Sequence, residues 1–353
     1  MPDTEDRPAR SRLTLTGISS RAWEHPADRG ALVAVRQLKG FDLVLRKLSG
    51  LINERALRLI FLGSAVRAGD RQFPKMHRVF AEAAASLDVR ELPELYVMTG
   101  PMPNAMCIGI DKPFIVVNSA LVDLLDEEEL RFVLGHELGH AQSGHALYQS
   151  VLVFLIRLSG AIAWMPLGAL GLRAIIAALM EWSRKAELSG DRAGLLACQD
   201  PAVGLRTHMK LASGGHLEDV DATAFLAQAA EYDAAGDLRD SVLKLLLLEA
   251  RSHPFLAVRA AELKHWVDNG DYSRILSGDY PRRDGDGDAR MSDEARRAAD
   301  SYKETFARSQ DPLMKIFSDL PGAVDGVRDK VSGWFGNRSS PSSSSSSSSS
   351  NRD

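Results

Sequence analysis

The stretch FVLGHELGHAQSGHALY, residues 132 to 148, constrains this chain more than any other. Its apolar residues recur at helical spacing, and the helix they predict carries its own start signal. Asp126 is a good N-cap, Glu129 stands three residues on as in a capping box, and Glu127 and Glu128 suit the positive helix end. Leu130, Val133, Leu134, Leu138 and Ala141 form the expected apolar stripe. His136, Glu137 and His140 stand in the same helix. This segment is therefore either a metal site or a buried helix that carries two histidines by coincidence.

Residues four apart lie one above the other on a helix, so His136 and His140 can present two imidazole nitrogens to one tetrahedral zinc ion. Glu137, one step round, can serve as base toward a water that zinc has acidified to a pKa near ~7. A catalytic zinc site takes three protein ligands and keeps a fourth position open. The stretch EWSRKAELSGDRAGLLA offers Glu187 as the third, with Asp191 four residues later on the same face. There Asp191 would accept a hydrogen bond from the far nitrogen of a ligand histidine. The alternative is two surface carboxylates paired with Arg184 or Arg192.

Composition narrows the function classes. A net charge of -4 over 353 residues, with no long basic block, lacks the electrostatic footprint of a nucleic-acid binder, so no nucleic-acid partner is expected. Cys107 and Cys198 are too few for a disulfide framework and have no metal-ligand spacing, which fits a reducing compartment. The opening MPDTEDRPARSRLTLTG has no apolar core and reads as no secretory signal, so the expected location is cytoplasmic.

Residues 28 to 69 read as helices broken near Gly40 and Gly50. The run PMPNAMCIGIDKPFIVVNSALVDLL reads as two short strands joined at Asp111, Lys112 and Pro113, a hairpin just before the motif helix. An exposed strand edge can bind a peptide by adding it as another strand. Asn104, Ala105 and Met106 open the first candidate, which runs to Ile108; Phe114 to Val117 is the second.

Residues 150 to 182 are strongly apolar but interrupted. The longest charge-free part, Leu158 to Leu172, would reach about 22 Å as a helix, short of the roughly 30 Å hydrocarbon core. A buried or membrane-dipping helical hairpin is expected there, and the second form would associate the protein with the inner face of the cell membrane. Between Leu313 and Phe335 an amphipathic patch is expected to dock on the core or on a lipid surface. RDGDGDARMSD lacks the glycine and glutamate of a calcium loop, and the serine run from Ser342 to Ser350 cannot build a core.

Five elements in order, PNAMCIG, PFIVVNSALVDLL, LGHELGHAQSGH, RKAELSGDRAG and SHPFLAVRAAEL, make the chain resemble the M48-family zinc metallopeptidases of the HtpX and Ste24 types. The resemblance covers about residues 73 to 265. It implies that His136, His140 and Glu187 bind one zinc ion per chain, that Glu137 is the general base and that Asp191 supports the site. It also places His253 and Arg259 near the cleft, where either can donate to a tetrahedral oxyanion, although Arg259 reads equally as an ion-pair partner of the site carboxylates. His145 follows His140 by five residues rather than the six of metzincins, and is read as a helix-end residue or one behind the ligands.

The expected fold is α+β and predominantly helical, zincin-like, with the HExxH helix and a small antiparallel sheet. An N-terminal helical region (1–72) precedes the M48-like domain (73–265), a variable loop with the amphipathic segment (266–335) and a Ser-rich tail (336–353). The expected function is zinc-dependent endoproteolysis of protein or peptide substrates. The alternative is a non-catalytic, zinc-containing module that holds peptides, at the membrane surface or away from it.

Overall fold

The computed structural model describes residues 11–36, 41–51, 53–162, 168–234 and 255–286. His253, the amphipathic patch and the serine run lie outside these residues. Helices α1 (Pro26–Arg36), α2 (Phe41–Leu51) and α3 (Glu54–Ser64) come first, followed by a two-residue strand β1 (Val66–Arg67) and helix α4 (Pro74–Ser86). Strands β2 (Leu95–Met98), β3 (Ala105–Ile108) and β4 (Phe114–Asn118) lead through α5 (Ser119–Leu124) into the motif helix α6 (Glu127–Gln142). Then come α7 (His145–Ile162), α8 (Gly168–Cys198), α9 (Pro201–Ser213), α10 (Ala222–Ala234), α11 (Leu256–Asp268) and α12 (Asp271–Leu276). The chain is predominantly helical with one small sheet.

The strand order is β1-β2-β4-β3. β3 and β4 form the expected antiparallel hairpin, but β2 runs parallel to β4, so the sheet is mixed rather than antiparallel throughout. The cause is the connection at residues 99–104, which steps over one strand position, puts β3 at the edge and leaves the gap that β4 fills. β4 is buried on both faces, as its unbroken FIVV run suits. Ile115 and Val117 point into the main core with Leu95, Val97, Ala105 and Cys107, while Tyr96, Phe114 and Val116 pack on Leu57 and Phe61 of α3.

The capping box that starts α6 is present: the Asp126 carboxylate accepts from the backbone N–H of Glu128 and Glu129, and Glu129 accepts from that of Asp126. The helix is buried more widely than its stripe foretells, on every residue from Glu129 to His140. Helices α4, α8 and α9 and strand β3 surround it. Its polar groups therefore need partners. Glu129 accepts from Arg206 Nε and Lys210 Nζ, each at 2.7 Å, and Arg131 pairs with Glu82 at 2.7 Å.

Glycines let α6 and α8 approach closely. A Cβ added at Gly135 would lie 2.4 Å from Ala197 Cβ, one at Gly139 2.4 Å from Ala193 Cβ, and one at Gly190 2.5 Å from the His136 ring. That proximity brings the third and fourth turns of α6 and the C-terminal third of α8 to a common point. Residues of α8 from Ile175 to Ala186 belong to a second core, in which Val151, Leu155, Ile175 and Leu179 pack with Ala31, Val35, Phe41 and Leu48. Helices α1 and α2 thus pack on the described parts of α7 and α8. Among the described residues no helix is long and apolar enough to cross a membrane. The segment before α1 is bound to the main core through Leu15, Ile18 and Trp23.

Candidate metal centre

His136 and His140 project from one face of α6, and Glu187 comes from α8 to meet them. His136 Nε2 and His140 Nε2 are 3.0 Å apart, and the Glu187 oxygens lie 3.6 Å from the first and 3.5 Å from the second. All three residues are buried. Asp191, one turn after Glu187, accepts from His136 Nδ1 at 3.0 Å. A carboxylate can only accept, so the His136 proton sits on Nδ1 and the lone pair of Nε2 faces the cluster. Burial pushes the pKa of His140 down to about 4, which keeps that ring neutral and its lone pair available as well.

Three acceptors that converge in a buried space repel one another unless positive charge sits among them. Burial opposes a charge on His136, and Asp191 and Glu187 together raise its pKa. Two imidazoles and a carboxylate are also the donor set of catalytic zinc sites. The residues present therefore fit a metal ion.

Glu137 points to the same region and is 2% exposed. Its Oε2 makes no hydrogen bond among the described residues. Burial pushes its carboxyl up to about 7, against the pull of neighbouring His136. A carboxyl of that pKa can both take and return a proton near neutrality.

Arg259, on α11, is buried and engaged. Its Nε and Nη2 donate to Asp191 at 2.8 and 2.6 Å, and its Nη1 lies 2.9 Å from Glu187. His208 Nε2 is 3.2 Å from the Asp191 oxygen that accepts from Arg259 Nε. Burial alone would raise the Asp191 pKa, but Arg259, His208 and His136 hold it well below the usual carboxylate range. Neither Glu187 nor Asp191 is a surface carboxylate paired with Arg184 or Arg192. His145 lies behind the cluster, its Nδ1 2.9 Å from His140 Nδ1.

β3 forms one edge of the sheet beside α6 and α7. The bond from Asn118 N–H to the Asn104 carbonyl sets the phase of its ladder with β4, so Ala105 and Cys107 turn their backbone groups to the other side. Gly109, next in that phase, is closed off by Ser150 of α7 at 3.1 Å. Phe114 to Val117 belong to an interior strand, paired on both sides by β2 and β3. No backbone edge remains there for an added strand.

Sequence reasoning passed over His208 and over Asp28, whose buried carboxylate lies 3.1 Å from His145 Nε2. Asp28 reads as an ordinary acidic residue in a first helical turn, and His208 as a lone histidine on α9; neither carries a local signal of the site.

A buried histidine pair one turn apart, a glutamate from a second helix and a free carboxylate beside them define a zincin-like metallopeptidase. The chain belongs to peptidase family M48, whose family model matches residues 70–267. It is 35% identical over 272 residues to the plastoglobule-localized metallopeptidase 48, chloroplastic, of Arabidopsis thaliana, covering 75% of this chain and 77% of that protein. It is 32% identical over 93 residues to a protease HtpX homolog of Caldanaerobacter subterraneus, which covers 26% of this chain and 31% of the relative. A protease HtpX homolog of Pyrobaculum calidifontis matches at 26% identity over 59% of this chain and 64% of its own length. No solved structure matches.

Proposed function

We propose that this metallopeptidase is a zinc-dependent endopeptidase, with one zinc ion per chain held by His136, His140 and Glu187. The observation that carries the reading is the meeting of two imidazole nitrogens, 3.0 Å apart, with a buried carboxylate. Zinc, when bound, supplies Lewis acidity to water and to a carbonyl oxygen. The chain supplies the rest. Glu137 takes a proton from the attacking water and passes it to the leaving amine, and its unpartnered Oε2 is the atom left for that task. Asp191 holds His136 in the tautomer that presents Nε2. Arg259 holds Glu187 and Asp191 together from behind. The oxyanion donor falls to His253, with Arg259 the weaker candidate because its nitrogens already face carboxylates.

The substrate is a protein or peptide in extended form, added as a strand along Asn104, Ala105 and Met106. A base beside three ligands favours catalysis over the peptide-holding alternative, since a structural zinc site needs no base and is usually closed by a fourth protein ligand. Metal analysis tests the ligand set. Near one equivalent of zinc is expected in the wild type and little in Glu187→Ala; full zinc in that variant would show the assignment to be wrong.

A second reading concerns location, on the cytoplasmic side at a lipid surface. It is favoured by exposed Val153 and Ile156, three residues apart on α7, and by exposed Leu59, Ile60 and Leu62 on α3. Flotation with liposomes should carry part of the protein upward, and a protein left wholly at the bottom of the gradient contradicts it.

A further inference from the structure

Asp28 lies on α1, outside the residues that the family model matches, yet it is 1% exposed. Its carboxylate accepts from Trp182 Nε1 at 2.9 Å and from Ser189 Oγ at 2.6 Å, both on α8, and lies 3.1 Å from His145 Nε2. His145 opens α7. Gly144 before it has φ of +70°, a left-handed conformation that turns the chain back so that His145 meets His140. The Trp182 ring meets the His145 ring edge-on, with centroids 5.5 Å apart, and fixes its plane.

The protons on this chain of groups follow from the acceptor at its end. Asp28 can only accept, so His145 Nε2 carries a proton. In the neutral form of His145 the lone pair of Nδ1 faces His140 Nδ1, 2.9 Å away, and the proton between the two rings then belongs to His140. His140 Nε2 is left bare on the side that faces His136.

We propose that Asp28 and His145 are positioning residues for the metal ligand His140. A carboxylate from the N-terminal helix sets, through an intervening imidazole, the tautomer and ring plane of that ligand. The proposal rests on the zinc reading above. It gives each ligand histidine its own carboxylate: Asp191 touches His136 directly, and Asp28 reaches His140 through His145. It also makes α1 part of the metal site.

Asp28→Asn keeps the shape of the group but adds a donor. Trp182 donates to one oxygen and Ser189 and His145 to the other, so the amide nitrogen meets a donor whichever way it turns. Turned toward His145, it forces that ring to accept at Nε2 and to carry its proton on Nδ1. His140 must then move its own proton to Nε2, the atom that would bind the metal.

The test uses the full chain, with zinc affinity read by chelator competition and tautomers by long-range proton to nitrogen-15 spectra. Asp28→Asn and His145→Leu should bind zinc about 10 to 100-fold more weakly. His145→Gln, whose amide can donate to Asp28 and accept from His140, should keep most of the affinity. In the zinc-loaded wild type, His145 should carry its proton on Nε2 and His140 on Nδ1. Wild-type affinity in both Asp28→Asn and His145→Leu overturns the proposal, as does a wild-type His145 protonated on Nδ1. The spectra need no variant, so they decide even if a substituted chain fails to fold. A wild type that takes up no zinc contradicts the zinc reading and the relay with it. Zinc-loaded wild type with unaffected variants contradicts the relay alone.

Discussion

Arg259 can donate to a substrate only with nitrogens that are free to do so, and its Nε, Nη1 and Nη2 all face Asp191 or Glu187. Removing it would leave two buried carboxylates without their cation. Breaking a buried pair in this way costs about 3–5 kcal/mol, so Arg259→Leu should lose stability of that order in urea denaturation. A variant of unchanged stability with a lowered kcat would return Arg259 to the oxyanion role. At this scale the site was legible wherever its residues repeat at helical spacing: His136 with His140, and Glu187 with Asp191. Partners from other elements were not legible. His208 and Asp28 sit on helices whose own sequences give no reason to expect them beside Asp191 or His145, because the packing of α9 and α1 brings them there.

The element scale turns on α6 and α8. The capping box and the apolar stripe of α6 could be read from sequence, but its burial on all sides could not, since that depends on four neighbouring elements. Gly135 and Gly139 read as weak points in a helix, whereas they are the places where α8 comes close. The hairpin was legible from its two apolar runs and the turn between them. The parallel pairing of β2 with β4 was hidden, because a strand inserted between two others leaves no local mark. Gly190 offers the sharpest test at this scale: a methyl there would meet the His136 ring at 2.5 Å, and that ring is held by Asp191. Gly190→Ala should therefore cost about 1–3 kcal/mol of stability and weaken zinc binding as well, in a thermal melt and a zinc titration. Wild-type values in both would mean that α6 and α8 are less tightly apposed.

For the whole molecule, the family match begins at residue 70, but the residues before it are not an appendage. Trp23 and Ile18 are in the main core, Phe41 is in the second, and Asp28 reaches the layer behind the ligands. A helical N-terminal region was legible from the spacing of its apolar residues; that it closes over α7 and α8 was not, since those contacts join segments far apart in the sequence, as Asp28 and Trp182 are. Whether this assembly cuts peptides with Glu137 as base is decided on an unbiased peptide library. Zinc-loaded wild type and Glu137→Gln would be compared, with the zinc content of each measured. Glutamine keeps the size of the side chain and removes the base, so the expected result is cleavage by the wild type, equal zinc in both, and a kcat lower by roughly 10² to 10⁴ in the variant. Cleavage by Glu137→Gln at the wild-type rate would contradict it.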